Sequence, residues 1–327
     1  MKRLFLFIFT ICALLFLGSC DNKENENLSV IATNYVGYDF ARAVTKDTNA
    51  EVSMLLKPGA EIHGYEPSTK DIINILSCDV FIYVGGESDE EWVEKSILNQ
   101  IDKEKTQVVN MFDVLKKSNH NLYLEEEIEG EETEEEEAEE EYDEHVWNDY
   151  NNAQTLVHGI EAAIIIADSK NEAKYKENAN NYQNKINQEL AKLADLMVKH
   201  SDRYMLVADR FPLLYFVKFF DIKYDAALSG CSSAQETSVK TLIRLKEKVE
   251  ENNLKYIFTI ELSTQNIAKA LKQEIKHDID SGTYDGKEPE ILTIYSMHNI
   301  SKEDFEAGLT FVDYMQKNYK TMVKYFG

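Results

Sequence analysis

Short apolar runs of strand length alternate with segments of helical spacing, and this alternation constrains the fold more than any other feature of the chain. Ser29–Thr33, Val52–Leu56, Asp79–Val84 and Gln107–Met111 read as strands. Tyr35–Val44, a helix capped by Ser68 and running through Leu76, and Asp89–Asn99 read as the helices between them. Asp71, three residues after Ser68, completes a capping-box pattern. Lys57-Pro58-Gly59 and Gly85-Gly86 are turn signals. Such a βαβα order implies a parallel sheet with helices on both faces. The pattern returns after residue 200. Tyr204–Ala208, Lys223–Leu228, Tyr256–Ile260 and Ile291–Tyr295 read as strands. A segment ending at Phe220, Glu236–Asn252, Thr264–His277 and a last helix capped by Ser301 and ending near Val323 read as helices, with Asp278–Glu288 as a turn-rich loop.

Between the two halves, 151–200 carries helical spacing throughout, with one break expected near Asp168-Ser169-Lys170. The piece from Asn171 to His200 would reach roughly 45 Å at 1.5 Å per residue, longer than one small domain is wide. It is read as a rigid connector. The expected fold is α/β, with two parallel-sheet α/β lobes joined by one long connecting helix. The first lobe covers 29–150, the connector 151–200 and the second lobe 201–327.

The second constraint is charge. Leu124 to Trp147 is a nearly unbroken run of glutamates ending in Asp143-Glu144-His145-Val146-Trp147. Residues 125–144 carry −15 of the net −24, which leaves −9 for the rest. The run has almost no apolar surface to bury and its charges repel one another, so it is an acidic loop (124–144) and not a packed element. The remainder is only moderately acidic. Without a basic face the chain is expected to bind no nucleic acid.

The first nineteen residues read as a signal peptide. Lys2-Arg3 is its positive start, and Leu4 to Leu17 is an apolar stretch too short to span a bilayer. It ends in Leu17-Gly18-Ser19-Cys20, which resembles a bacterial lipobox, with Cys20 as the lipidated residue and 20–28 as the tether that follows. The expected location is therefore the extracytoplasmic face of a membrane, periplasmic or at the cell surface, held by a lipid anchor. Of the other cysteines, Cys12 leaves with the signal. Cys78 sits in an apolar context and is read as a small core residue, and Cys231 lies in a turn.

Three histidines stand just past strands or turns: His63, His145 and His298. Ligands of open parallel sheets bind beyond the carboxyl ends of strands and in the crevice between lobes. Imidazole with a carboxylate suits zinc and other first-row metals. His120, His158, His200 and His277 lie in polar surroundings and read as solvated. No close pair such as HxxxH is present, so spacing alone says little.

Three words say more: Gly59-Ala60-Glu61-Ile62-His63-Gly64-Tyr65-Glu66-Pro67, Asp79-Val80-Phe81-Ile82-Tyr83-Val84-Gly85-Gly86 with Trp92, and Asp143-Glu144-His145-Val146-Trp147. Together they resemble the metal-binding lipoproteins of bacterial ABC importers, the cluster A-I substrate-binding proteins that take up zinc or manganese. The resemblance covers nearly the whole mature chain. It implies two α/β lobes joined by a long helix, a metal held between them by histidines and a carboxylate, a monomer, and a membrane permease as partner. By that resemblance His63 and His145 are the first two ligands, and an acidic loop before the second histidine points to the zinc branch.

The sequence departs from the family pattern in the second lobe. The family's third ligand, usually a histidine, falls at Ala208 in Ala208-Asp209-Arg210-Phe211. Asp209 is a substitute, unless it is engaged in a salt bridge centred on Asp209 and Arg210. The family's acid after the last strand is replaced by Ser296-Met297-His298, which makes His298 the natural replacement. Glu261 and Cys231 are further candidates for the open position. The loop is all carboxylate and lacks histidine, so it is read as a collector of cations and not as a tight zinc site.

The expected function is capture of zinc, or of manganese as the runner-up, and its delivery to the permease without chemistry on a substrate. The rivals are a zinc hydrolase using Glu61 or Glu261 as base, and an acidic surface lipoprotein or adhesin. Against the hydrolase, the chain holds no HExxH, no Gly-x-Ser-x-Gly and no close carboxylate pair.

Overall fold

The computed structural model describes residues 27–60, 65–126, 128, 141–230 and 237–327. The first sheet holds β1 (Ser29–Ala32), β2 (Glu51–Met54), β3 (Val80–Tyr83) and β4 (Gln107–Asn110) in the order β2-β1-β3-β4, all parallel. The second holds β5 (Tyr204–Arg210), β6 (Lys223–Leu228), β7 (Tyr256–Ile260) and β8 (Glu290–Ile294) in the order β6-β5-β7-β8, also parallel. The two halves thus share one topology. Every residue of β3 is buried, as befits a parallel strand covered on both faces.

The pleat sorts side chains to two layers. Val30, Ala32, Val80 and Ile82 face a core shared by both halves of the chain, whereas Ile31, Phe81 and Tyr83 face an outer layer of the first lobe. In the second lobe Met205, Val207, Phe258 and Ile260 face the shared core, and Leu206, Ala208 and Ile257 an outer layer.

Helix starts follow their caps. Asn34 accepts from Gly37 N at the start of α1 (Tyr35–Val44), and Ser68 and Asp71 form a complete capping box on α2 (Thr69–Ser77). The chain then turns through α3 (Met111–Lys117) and α4 (Tyr150–Ala167), and breaks at Asp168 into a short 3-10 turn, Ser169–Asn171. The long helix α5 (Glu172–Val198, 27 residues) spans about 40 Å. It is tied to the first lobe where Asn178 donates to the carbonyls of Val44 and Lys46, at 2.9 and 2.7 Å. It is tied to the C-terminal helix where Gln316 donates to Glu189. Its Tyr175, Ala179, Ile186 and Leu193 lie in the shared core, so the lobes are packed on one spine and not merely linked by it.

Three elements differ from expectation. The segment expected as an α-helix over Asp89–Asn99 is a short turn, Glu87–Asp89, running into a π-helix, Glu90–Ile97. The Trp92 indole donates to Ser88 O, the carbonyl an α-helical Trp92 backbone would bond, and Leu98 N instead reaches back to Val93 O. In the second lobe α6 (Leu214–Phe220) and α7 (Val239–Glu251) precede α8 (Asn266–Ser281), which extends past the expected end until Gly282 stops it in the left-handed region at φ 78°. The last helix is two: Ser301 caps only Lys302–Glu306. Gly308 at φ 73° breaks the run, and Thr310 with Asp313 forms a second capping box that starts α9 (Phe311–Phe326). Among the described residues no helix is long and apolar enough to cross a membrane.

Candidate metal centre

Both histidines of the described site are delivered by turns at the carboxyl ends of the sheets. The acidic stretch begins and ends in a small antiparallel stem. Leu124 bridges Tyr142, Glu125 N donates to Glu141 O, and Asp143 N donates to Tyr123 O. The stem leads directly into His145, which is fully buried. Asp143 Oδ1 accepts from His145 N at 2.8 Å and lies 3.3 Å from His145 Nδ1. A carboxylate can only accept, so Nδ1 carries the imidazole proton and Nε2 presents its lone pair. The next residue, Glu144, is buried with its carboxylate held by the backbone N–H and hydroxyl of Ser88. Gly86 makes room for it, since a Cβ there would fall 2.4 Å from the Glu144 side chain.

The turn of His145 is docked into the second lobe. Trp147 Nε1 donates to Ser296 O and Asn148 Nδ2 to Pro212 O, both at 2.8 Å and both buried. His298 comes from the turn after β8. Its shape is set by Glu261, a half-buried side chain at the end of β7. Glu261 accepts from Ser296 N (2.7 Å), Ser296 Oγ (2.8 Å) and His298 N (3.2 Å). The result is that His145 Nε2 and His298 Nδ1 stand 2.7 Å apart, one from each lobe, with ring centroids at 4.7 Å. His298 and Glu261 line a cavity of about 230 Å³ together with Gly59, Ala60, Arg210 and Asn299. The segment 57–60 is pinned to the same turn: Gly59 N donates to Ile300 O, and Asn299 Nδ2 to the carbonyls of Lys57 and Ala60.

The electrostatics are acidic and dry. Burial alone would lower the His145 pKa, but the charges of Asp143 and then Glu144 outweigh it and the net shift is upward. Burial raises Glu144, Glu261 and Asp209 above the usual carboxylate range, while their hydrogen-bond donors pull them back. Asp89, buried behind Glu144, is pushed up to about 7 by burial and then by the Glu144 charge.

Among the expected site residues, His145 and His298 are brought together. Asp209 ends β5, and its carboxylate meets Ser263 Oγ and Arg210 N, not the histidine pair. Ala208 is fully buried in the outer layer of the second lobe, where a histidine would displace the core. Cys78 is a buried free thiol, as expected. His63, Cys231, Cys20, the signal segment, most of the tether and residues 127 and 129–140 of the acidic loop lie outside the described residues. Among the described residues no group of three or more His, Cys, Asp and Glu side chains is arranged around a common metal position. Sequence reading missed the Ser88–Glu144 and Trp147–Ser296 contacts. Each joins residues too far apart in the chain for any local pattern to link them.

Known proteins share the sequence pattern and the fold of this chain. The profile of the family described as ZnuA, zinc-uptake complex component A, periplasmic, matches residues 30–325. The high-affinity zinc uptake system protein ZnuA of Bacillus subtilis is 32% identical over 304 residues, covering 92% of this chain and 88% of that protein. The zinc-binding lipoprotein AdcA of Streptococcus pneumoniae strain R6 is 30% identical over 327 residues, and the match spans 98% of this chain but 60% of AdcA. The Zn(II)-bound ZnuA-like domain of S. pneumoniae AdcA superposes with a TM-score of 0.70 at 25% identity, covering 92% of this chain and 99% of that domain. The chain belongs to the ZnuA family of zinc-uptake substrate-binding components.

Proposed function

We propose that this protein captures zinc outside the cell membrane and hands it to the permease of an ABC importer. The observation that carries this reading is the pair His145 Nε2 and His298 Nδ1, one imidazole from each lobe, at 2.7 Å. Zinc–nitrogen bonds of about 2.0–2.1 Å at a tetrahedral angle place two such nitrogens roughly 3.3 Å apart, so a small separation of the rings admits the ion. His298 then gives up its Nδ1 proton or shifts it to Nε2. His63 is the third imidazole in this reading and Asp209 the acid. A donor set rich in imidazole favours zinc over manganese. No group-transfer chemistry is required, and the protein acts as a binding component and not as an enzyme.

The finer features are part of the same proposal. Residues 1–19 are the signal, Cys20 carries the lipid, and 20–28 form the tether that holds a monomer at the extracytoplasmic face. The first lobe covers 29–150, the connector 151–200 and the second lobe 201–327. The glutamates of the acidic loop raise the local cation concentration at the mouth of the site.

The test is zinc titration of the chain from Asp21 onward, against a chelating competitor, with His63→Ala, His145→Ala and His298→Ala alongside. One zinc per chain, lost or weakened by a hundredfold or more in each variant, is expected when a primary ligand is removed, since outer-shell changes alone cost about 10–100-fold. No stoichiometric zinc in the parent protein would sink the proposal.

A further inference from the structure

We infer that Glu261 stays off the metal and is instead the positioning residue that holds the His298 turn in its binding geometry. The inference rests on the metal-site reading above and goes beyond it by assigning a role to a carboxylate that lines the cavity. As the acid nearest in the chain to the end of β7, Glu261 would otherwise be the obvious partner for a cation.

The argument is one of lone pairs. An ionised carboxylate offers about four acceptor sites. At Glu261 three are taken: Ser296 N donates to Oε2, and Ser296 Oγ and His298 N both donate to Oε1. A metal at Oε1 would have to displace Ser296 Oγ or His298 N, and one at Oε2 would compete with Ser296 N, whose residue is fully inaccessible to solvent. The turn also needs the clamp. Met297, between the two clamped residues, takes φ 61°, the left-handed region that side chains with a Cβ rarely adopt. It is fully buried, so its packing and its backbone conformation are fixed together. Three bonds converging on one carboxylate from Ser296 and His298 hold that conformation. It is this conformation that aims His298 Nδ1 at His145 Nε2. Ser296 O, on the same turn, receives the Trp147 indole, so the clamp sets the spacing of both lobes at the site.

A ligand and a positioning residue predict different spectra. Cobalt(II) in place of zinc reports its coordination number through visible absorption. Glu261→Gln swaps an acceptor for an NH2 group that faces the Ser296 or His298 N–H donors. Ser296→Ala removes one donor from the clamp and a 3.3 Å acceptor of His298 N, and leaves every imidazole in place. With the chain from Asp21 onward, which contains every described residue, Glu261→Gln is expected to weaken zinc about 10–100-fold and Ser296→Ala by up to about tenfold. Both variants should keep the parent cobalt band positions and intensity at saturating cobalt chloride. A changed cobalt spectrum at saturation in Glu261→Gln would make Glu261 a ligand and overturn the inference while leaving the zinc site standing. Zinc affinity within threefold of the parent in both variants would overturn it too. Should Glu261→Gln fail to fold, Ser296→Ala decides by the same two readouts. A parent that binds neither zinc nor cobalt removes the metal-site reading and this inference with it.

Discussion

Trp147 donates its indole N–H to the carbonyl of Ser296 across 2.8 Å, and this bond joins the turn that carries His145 to the turn that carries His298. The two residues are separated by 149 positions in the chain and both are buried. The bond therefore fixes a distance between lobes at the one place where the lobes must agree. Trp147→Phe leaves the Ser296 carbonyl buried without its donor, which costs roughly 1–3 kcal/mol, and the smaller ring adds a packing loss. The expected outcome is a lower urea midpoint together with weaker zinc binding. Unchanged zinc affinity would show that the lobes hold their spacing without it.

Asp143 selects the His145 tautomer by standing 3.3 Å from Nδ1. Asp143→Asn keeps the shape but removes the charge and lets the amide present either a donor or an acceptor. Zinc affinity should fall about 10–100-fold, as expected of an outer-shell partner of a ligating imidazole. Competition titration against a chelator reads this directly.

Asp89 supplies a pH dependence of stability. It is buried, accepts from Val84 N and Gly85 N, and has its pKa pushed up to about 7. A folded pKa above the unfolded value of about 3.9 means that the folded state holds the proton more tightly. The associated stability is fully present below about pH 4 and is lost as pH rises through 7. Asp89→Asn can still accept both backbone bonds through its carbonyl oxygen and never ionises. Thermal melts of the metal-free protein should show a shallower decline from pH 5 to 8 in the variant. Its gain at pH 8 should be on the order of a few kcal/mol. Parallel profiles for parent and variant would mean that Asp89 does not titrate in this range.

The stem of the acidic loop closes on itself through Leu124 and Tyr142, and Glu126 reaches the second lobe through Lys218 at 2.6 Å and the Tyr224 hydroxyl. Replacing residues 129–140 by a short turn should therefore leave the stem in place. If the glutamates act by steering, equilibrium zinc affinity stays within about threefold while the association rate falls several-fold at low salt. Rates of parent and excised proteins converge as salt shortens the Debye length to roughly 3 Å at 1 M. A large loss of equilibrium affinity would instead place glutamates of the loop on the metal.

The element order, both parallel sheets and the break at Asp168 were legible in the sequence. They depend on local patterns: apolar runs, caps and turn residues within a few positions of one another. The places where the reading failed were those where a distant or competing contact took over. Trp92 bonding Ser88 O went with a π-helix in place of an α-helix, and Gly308 with the Thr310 cap divided the last helix. At the site, His298 was nameable from the strand it follows, and His145 from the acidic run that ends at it and from the resemblance of Asp143-Glu144-His145-Val146-Trp147. That their ring nitrogens meet was not, because nothing along a separation of 153 positions records a distance.

The sequence by itself determined the composition of this protein's chemistry: three imidazoles just past strands or turns, an all-carboxylate loop, and two α/β halves around a long helix. Local periodicity and residue type carry that information, and they survive in one dimension. Only the tertiary structure decided how the groups are used. It committed Glu261 to three backbone and hydroxyl donors, turned Asp209 towards Ser263, and buried Glu144 against Ser88. Burial and hydrogen-bond saturation depend on which surfaces the folded lobes press together, and that follows from packing across the whole chain and not from any stretch of it.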